Sequence, residues 1–200
     1  MGDDDEEKKN FIIHTSFATK SSKFIRAALA GDWKEAREKL IPLPEARVAD
    51  FQIYTEWMYT GRIANRAYDG SSDNSVTLVR LYILGEYLRD TRFSNTIMDN
   101  LLQISCSPQS PMVFGSDTVG MAWEHTLPGS PLRMALAQLI ICHVCDCHYS
   151  AHFNDVGTWS KEVSAEVFKQ IGTHARTSSY PLPYEGKCAF HKHDEEDPNC

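Results

Sequence analysis

Apolar residues recur every three or four positions in several stretches of the chain, and each stretch predicts a helix with one face turned to a core. Ser21 and Ser22 precede Phe24, Ile25, Ala28 and Leu29, a stripe at helical spacing behind an N-cap, and Gly31 ends it. From Arg47 the pattern resumes: Phe51, Tyr54 and Met58 share a face, Ile53 and Trp57 lie beside it, and Gly61 terminates it. Leu78, Leu81, Tyr82, Gly85 and Leu88 predict a further helix. Phe93, Ile97, Leu101 and Ile104 predict its antiparallel partner, with Asp90 and Thr91 supplying cap oxygens between the two. Ser130 and Pro131 occupy the favoured N-cap and first helical positions of a segment running through Leu132, Leu136, Leu139, Ile140 and His143. A last stripe, Val163, Val167, Phe168 and Ile171, begins near Ser160.

Two short runs break the helical period. Phe11-Ile12-Ile13-His14 is continuously apolar and fits a strand. Leu40-Ile41-Pro42-Leu43-Pro44 is held extended by its prolines and fits a second short strand at a sheet edge. The expected fold is therefore α+β: mostly helical, with a small edge sheet and a C-terminal helical extension. Residues 1–10 are almost wholly charged and read as a disordered acidic start. Residues 68–75 read as a polar loop, and residues 105–130, rich in proline and glycine without a steady period, as a linker. These divisions place a domain at residues 11–104, a helical extension at 131–176 and a Cys/His/acidic tail at 177–200.

Composition narrows the function. A net charge of −7 and a pI near 5.6 disfavour nucleic acid, because neutralising phosphates requires clustered Lys and Arg. No apolar run approaches the roughly 20 residues of a membrane span, so no membrane partner is expected. The acidic start lacks the basic-then-apolar order of a signal peptide, and Glu6 stands where a myristoylation motif needs Ser or Thr. The expected compartment is the cytosol or nucleus, and the six cysteines are expected as reduced thiols or metal ligands rather than disulfides.

Five blocks carry a resemblance to a known family. They are Ile13-His14-x-x-Phe17; Ser21/Ser22-x-Phe24-Ile25-x-Ala27-Ala28-Leu29; Trp33-Lys34-Glu35-Ala36-Arg37-Glu38; Phe51-x-x-Tyr54-x-x-Trp57-Met58-Tyr59-Thr60-Gly61-Arg62; and Leu78-Val79-x-Leu81-Tyr82-Ile83-Leu84-Gly85-Glu86-Tyr87-Leu88 followed by Phe93-x-Asn95. In this order they resemble a BTB/POZ domain of the type found in filamentous fungi. The resemblance implies a non-catalytic protein-interaction module whose helix end at Tyr59-Thr60-Gly61 belongs to the partner surface. It also implies a docking motif at Trp33 and Glu35, similar to the hydrophobic-x-Glu motif by which some members bind the cullin scaffold of ubiquitin ligases. The family's first strand, a contributor to homodimers, has no counterpart in Asp3 to Asn10.

Two groups of candidate metal ligands remain. Cys142, His143, Cys145, Cys147, His148 and His152 are crowded, but ten residues of helix span about 15 Å, far more than ligands converging on one ion allow. These read as core thiols. Cys188, His191, His193 and Cys200 have the spacing of a zinc site closed by short turns, which keeps a zinc-binding regulatory protein among the readings. No Gly-x-Ser-x-Gly, Walker, His-Glu-x-x-His or Rossmann motif occurs, so catalysis is not expected.

Overall fold

A computed structural model describes residues 8–63, 74–105, 114–145, 158–174 and 188–193, with the side chains of 142–145 and 173–174 outside the description. The described residues form helices and connections and contain no strand, so the expected α+β class with an edge sheet is overturned. The helices are α1 (Thr15–Ser21), α2 (Lys23–Ala30), α3 (Lys34–Glu38), α4 (Val48–Thr60), α5 (Asn74–Leu88), α6 (Thr91–Ser105), α7 (Ser116–His125), α8 (Pro131–Cys145) and α9 (Lys161–His174).

Both expected strands fail for a local reason. Phe11 to His14 is extended, but its polar groups turn to a helix: the His14 backbone N–H donates to the Tyr59 hydroxyl at 3.0 Å. The Phe11 ring meets Phe51 edge-on at 5.0 Å. Around Leu40 to Pro44 the chain is already turning. Lys39 has a left-handed φ of 51°, Leu40 N–H donates back to the Glu35 carbonyl at 3.2 Å, and Ala46 N–H donates to the Leu43 carbonyl at 3.2 Å. Pro42 and Pro44 have no N–H to offer a ladder. The two runs are thus spent on separate helices instead of on each other.

The core is centred on the α5–α6 hairpin, which packs against α4 through α5 and against α8 through α6. Leu78, Leu81, Tyr82 and Leu88 of α5 and Phe93, Ile97, Met98, Leu101 and Leu102 of α6 are fully buried. From α4, Tyr54 sets its ring 4.9 Å from that of Phe93, and Trp57 sits 5.1 Å from it. Asp90 joins the hairpin. Its Oδ1 accepts the Phe93 backbone N–H at 3.0 Å, an N-cap bond, and its Oδ2 accepts the buried Tyr54 hydroxyl at 2.9 Å. Ser22 makes a similar join, accepting the Ile25 N–H at 3.0 Å and donating to the Leu88 carbonyl at 2.7 Å. It thereby caps α2 and satisfies the end of α5 together.

Glycine has a purpose at two places. Gly61 ends α4 with φ 66°, its N–H donating to the Trp57 carbonyl, as its position predicted. Gly85 lies mid-helix because α6 crosses it: a β-carbon there would stand 2.5 Å from Ser94 Oγ and 3.3 Å from the Ser94 backbone nitrogen. Gly85→Ala is accordingly expected to lower stability by about 1–3 kcal/mol, the usual cost of overpacking, despite alanine's better helix propensity. A denaturation midpoint equal to or above that of the parent would refute the close crossing.

Residues 116–125, inside the stretch read from sequence as a linker, form α7, which packs on α5, α8 and α9. Arg133 of α8 fastens the end of α7. Its guanidinium donates to the Trp123 carbonyl at 2.6 Å, to Thr126 Oγ1 at 2.9 Å and to the Thr126 carbonyl, while lying 5.7 Å from the Trp123 ring. Ser130 caps α8 as expected. In α9, Val163 and Val167 are buried, but Phe168 is 70% exposed, so the predicted stripe continues only in part. The acidic start lies outside the described residues up to position 7, and the loop read at 68–75 lies outside them from 68 to 73, its last two residues opening α5.

Candidate partner-docking face and the C-terminal Cys/His segment

The first candidate site grows from the way residues 8–14 lie along α4. Phe11 is anchored on Phe51, and Lys9 crosses the Phe11 ring at 5.1 Å while donating to Gln52 Oε1 at 3.4 Å. Three residues later the His14 backbone N–H donates to the Tyr59 hydroxyl, and His14 Nδ1 lies 3.0 Å from the same oxygen. Phe17, on the first turn of α1, packs its ring at a tilt on that of Tyr59, with centroids 4.8 Å apart. His14 is thus a polar clasp between the extended segment and α4.

An open groove of about 650 Å³ runs beside this clasp, lined by Phe11, Gln52, Thr55, Glu56, Tyr59, Thr60 and Arg62. Tyr59 of its lining is 41% exposed, Phe17 packed on Tyr59 is 43% exposed, and Ile12, which follows Phe11 in the chain, is 99% exposed. Tyr59, expected from sequence as a partner residue, therefore lies on an apolar, solvent-facing surface.

Trp33 and Glu35 are elsewhere, at the start of α3, whose neighbour is α2, whereas Tyr59 faces α1. Trp33 is 62% exposed. Its indole folds back over Gly31, where a β-carbon would collide with the ring. Asp32 and Arg37 form a bidentate pair across the same turn, at 2.9 and 2.8 Å. That pairing holds the Asp32 carboxyl below its ordinary pKa. The expected partner residues therefore form two patches, not one.

The second candidate site is the segment 188–193, docked on the hairpin. Phe190 is buried, and Asn95 grips the backbone of Lys192 twice, donating to its carbonyl and accepting its N–H, both at 2.9 Å. Lys192 Nζ pairs with Glu86 Oε1 at 2.6 Å, and the same oxygen accepts the Ser130 hydroxyl at 3.1 Å. His191 turns its Nε2 to Asp99 Oδ1 at 3.0 Å. Cys188 is disulfide-bonded, contrary to the expectation of reduced thiols, and its Sγ lies 3.5 Å from His193 Nε2.

The four predicted zinc ligands are consequently divided: Cys188 and His193 are together, His191 is engaged with α6, and Cys200 lies outside the described residues. Among the described residues no three His, Cys, Asp or Glu side chains converge on one point. Of the other cysteine cluster, Cys142, His143 and Cys145 belong to α8 with undescribed side chains, and Cys147, His148 and His152 lie outside the described residues. Glu86, Asn95 and Asp99, the receptors of the C-terminal segment, were not identified from sequence as site residues. They act across nearly a hundred positions, and no local pattern marks such a pairing. No helix among the described residues is long and apolar enough to cross a membrane. No family model, curated protein or solved structure matches the chain.

Proposed function

We propose that the chain is a non-catalytic protein-interaction module, as its resemblance to BTB/POZ domains implies, and that it meets a protein partner with the surface formed by Ile12, Phe17 and Tyr59. The sheet that the resemblance also implied is not part of this reading, which rests on the helical surface. The observation that carries it is the groove lined by Phe11 and the half-exposed Tyr59, with the exposed Phe17 ring 4.8 Å from that of Tyr59 and the 99% exposed Ile12 next to Phe11 in the chain. Contiguous apolar surface with aromatic anchors and a polar rim, here Lys9, Gln52, Glu56 and Arg62, is the usual composition of an interface. The buried polar groups serve packing: Asp50 pairs with Arg80 at 2.9 Å between α4 and α5, and Asp90 with Tyr54.

A second reading, adaptor of a cullin-type ubiquitin ligase, is favoured by the exposure of Trp33. A tryptophan held mainly in solvent at a helix start contributes little to the core and leaves a large apolar ring for a partner.

One experiment weighs both. The full chain, the Ile12→Asp variant and the Trp33→Ala, Glu35→Ala double variant are used for affinity purification from the native cell with quantitative mass spectrometry. All three are expected to fold alike, since Ile12 and Trp33 are exposed. Ile12→Asp is expected to reduce recovery of the principal partner at least about tenfold, equivalent to about 1.4 kcal/mol. A cullin recovered with the parent and lost only from the double variant transfers the function to the adaptor reading. Equal recovery of every protein by all three chains refutes both surfaces.

A further inference from the structure

We propose that the surface of α5 and α6 carrying Glu86, Asn95 and Asp99 is a binding site for a short peptide in which an aromatic residue is followed by two basic ones. Residues 188–193 are its built-in occupant, and a peptide of the same chemistry displaces them. The inference does not rest on the interaction reading, because this site uses a different set of residues from the groove beside Tyr59.

Recognition of a peptide by a folded surface combines main-chain hydrogen bonds, which give affinity, with side-chain pockets and charges, which give selectivity. All three are present. Asn95 donates to the Lys192 carbonyl and accepts the Lys192 N–H, both at 2.9 Å, a grip that any residue with a backbone N–H satisfies. Phe190, 2% exposed, is the anchor. The two residues after it meet carboxylates: His191 Nε2 lies 3.0 Å from Asp99 Oδ1, and Lys192 Nζ lies 2.6 Å from Glu86 Oε1. Ser130 holds that Glu86 oxygen in place at 3.1 Å. The site thus takes an aromatic ring by shape and the next two side chains by positive charge, and an acidic peptide is repelled.

The receptor is built from the framework and the occupant is not. Glu86, Asn95 and Asp99 stand on the two long hairpin helices, and Ser130 is the cap of α8. The segment contributes one buried residue, Phe190, between exposed Cys188 and Ala189 and partly buried His191 and Lys192. A tethered occupant competes at an effective concentration on the order of millimolar. An external peptide therefore binds weakly to the parent and more tightly once the occupant is impaired. Substitutions on the two sides of the same contact then have opposite signs: those in the segment raise the affinity for added peptide, and those in the receptor lower it. A segment that only completes the core produces no such reversal.

The test is a fluorescence-anisotropy titration of the full chain with a labelled peptide, Ser-Ala-Phe-His-Lys-His, blocked at both ends. Its serine stands for Cys188, so that no disulfide exchange contributes. Phe190→Ala is expected to bind this peptide at least about tenfold more tightly than the parent, and Lys192→Ala several-fold more tightly. Lys192 has a side chain 41% exposed, so its variant keeps the proposal open to refutation should Phe190→Ala not fold. Adding Asn95→Ala or Glu86→Gln to Lys192→Ala is expected to remove the gain, and a competitor peptide with glutamate in place of its lysine is expected to displace little label. No binding to Lys192→Ala, equal binding by parent and segment variants, binding indifferent to Asn95→Ala, or full competition by the glutamate peptide would each overturn the proposal.

Discussion

Phe93→Ala is expected to lower the unfolding free energy by about 3–5 kcal/mol, the range for emptying a fully buried aromatic position. Phe93 is the first core residue of α6, has no exposure, and takes ring contacts from Tyr54 at 4.9 Å and Trp57 at 5.1 Å. Its loss leaves a cavity where α4, α5 and α6 meet, and the two remaining rings cannot close it without moving α4. A control comes from Phe168, which the apolar pattern ranks equally with core residues but which is 70% exposed. Phe168→Ala is expected to change stability by no more than about 0.5 kcal/mol. Urea titrations of the two variants provide the comparison. Similar midpoint shifts would show that the aromatic cluster is not the centre of the core.

Asp90→Ala carries the second large effect, a loss of roughly 2–4 kcal/mol. It combines the removal of an N-cap with the stranding of a buried hydroxyl. The cap bond is to Phe93 N–H and the stranded hydroxyl is that of Tyr54, which has no exposure. Asp90→Asn keeps one oxygen for the cap but turns an NH2 donor toward the Tyr54 hydroxyl, so it is expected to cost less than Asp90→Ala and more than nothing. The pair of variants separates the cap from the bond to Tyr54.

The same residue gives a dependence on pH. Burial raises the Asp90 carboxyl above its ordinary value of 3.8, and the Phe93 N–H and Tyr54 hydroxyl offset only part of that rise. The folded state therefore holds a proton there more tightly than the unfolded state. Stability from this group is fully present below the ordinary aspartate value and is lost as pH rises through the raised folded value. The stability of the parent minus that of Asp90→Asn is expected to fall with rising pH across this window and then level off. A difference that grows with pH instead would mean that the native contacts favour the carboxylate over the acid.

Much of the helical framework could be read from the chain alone because the signals are local. The caps at Ser22, Asp90 and Ser130 act within three residues, Gly61 terminates α4 in the left-handed region, and the faces of α5 and α6 follow the 3.6-residue period. Helices α1, α3 and α7 were not expected. Two of them are shorter than eight residues, with one buried side chain in α1 and none in α3, too little periodicity to register. In α7 the buried set is Thr118, Val119, Ala122 and Trp123, and the prolines and glycines around it conceal that short run.

What the sequence determined by itself was the position of the long helices and their caps, both consequences of chemistry within a few residues. Only the tertiary structure decided that Phe11–His14 and Leu40–Pro44 would not pair. A strand exists by virtue of its partner, and here Tyr59 and the local turns took the available hydrogen bonds. It likewise decided that Trp33 and Tyr59 occupy separate patches, and that His191 belongs to Asp99 while Cys188 remains beside His193. Those outcomes depend on which helix faces come together, a long-range packing result that spacing along the chain does not encode.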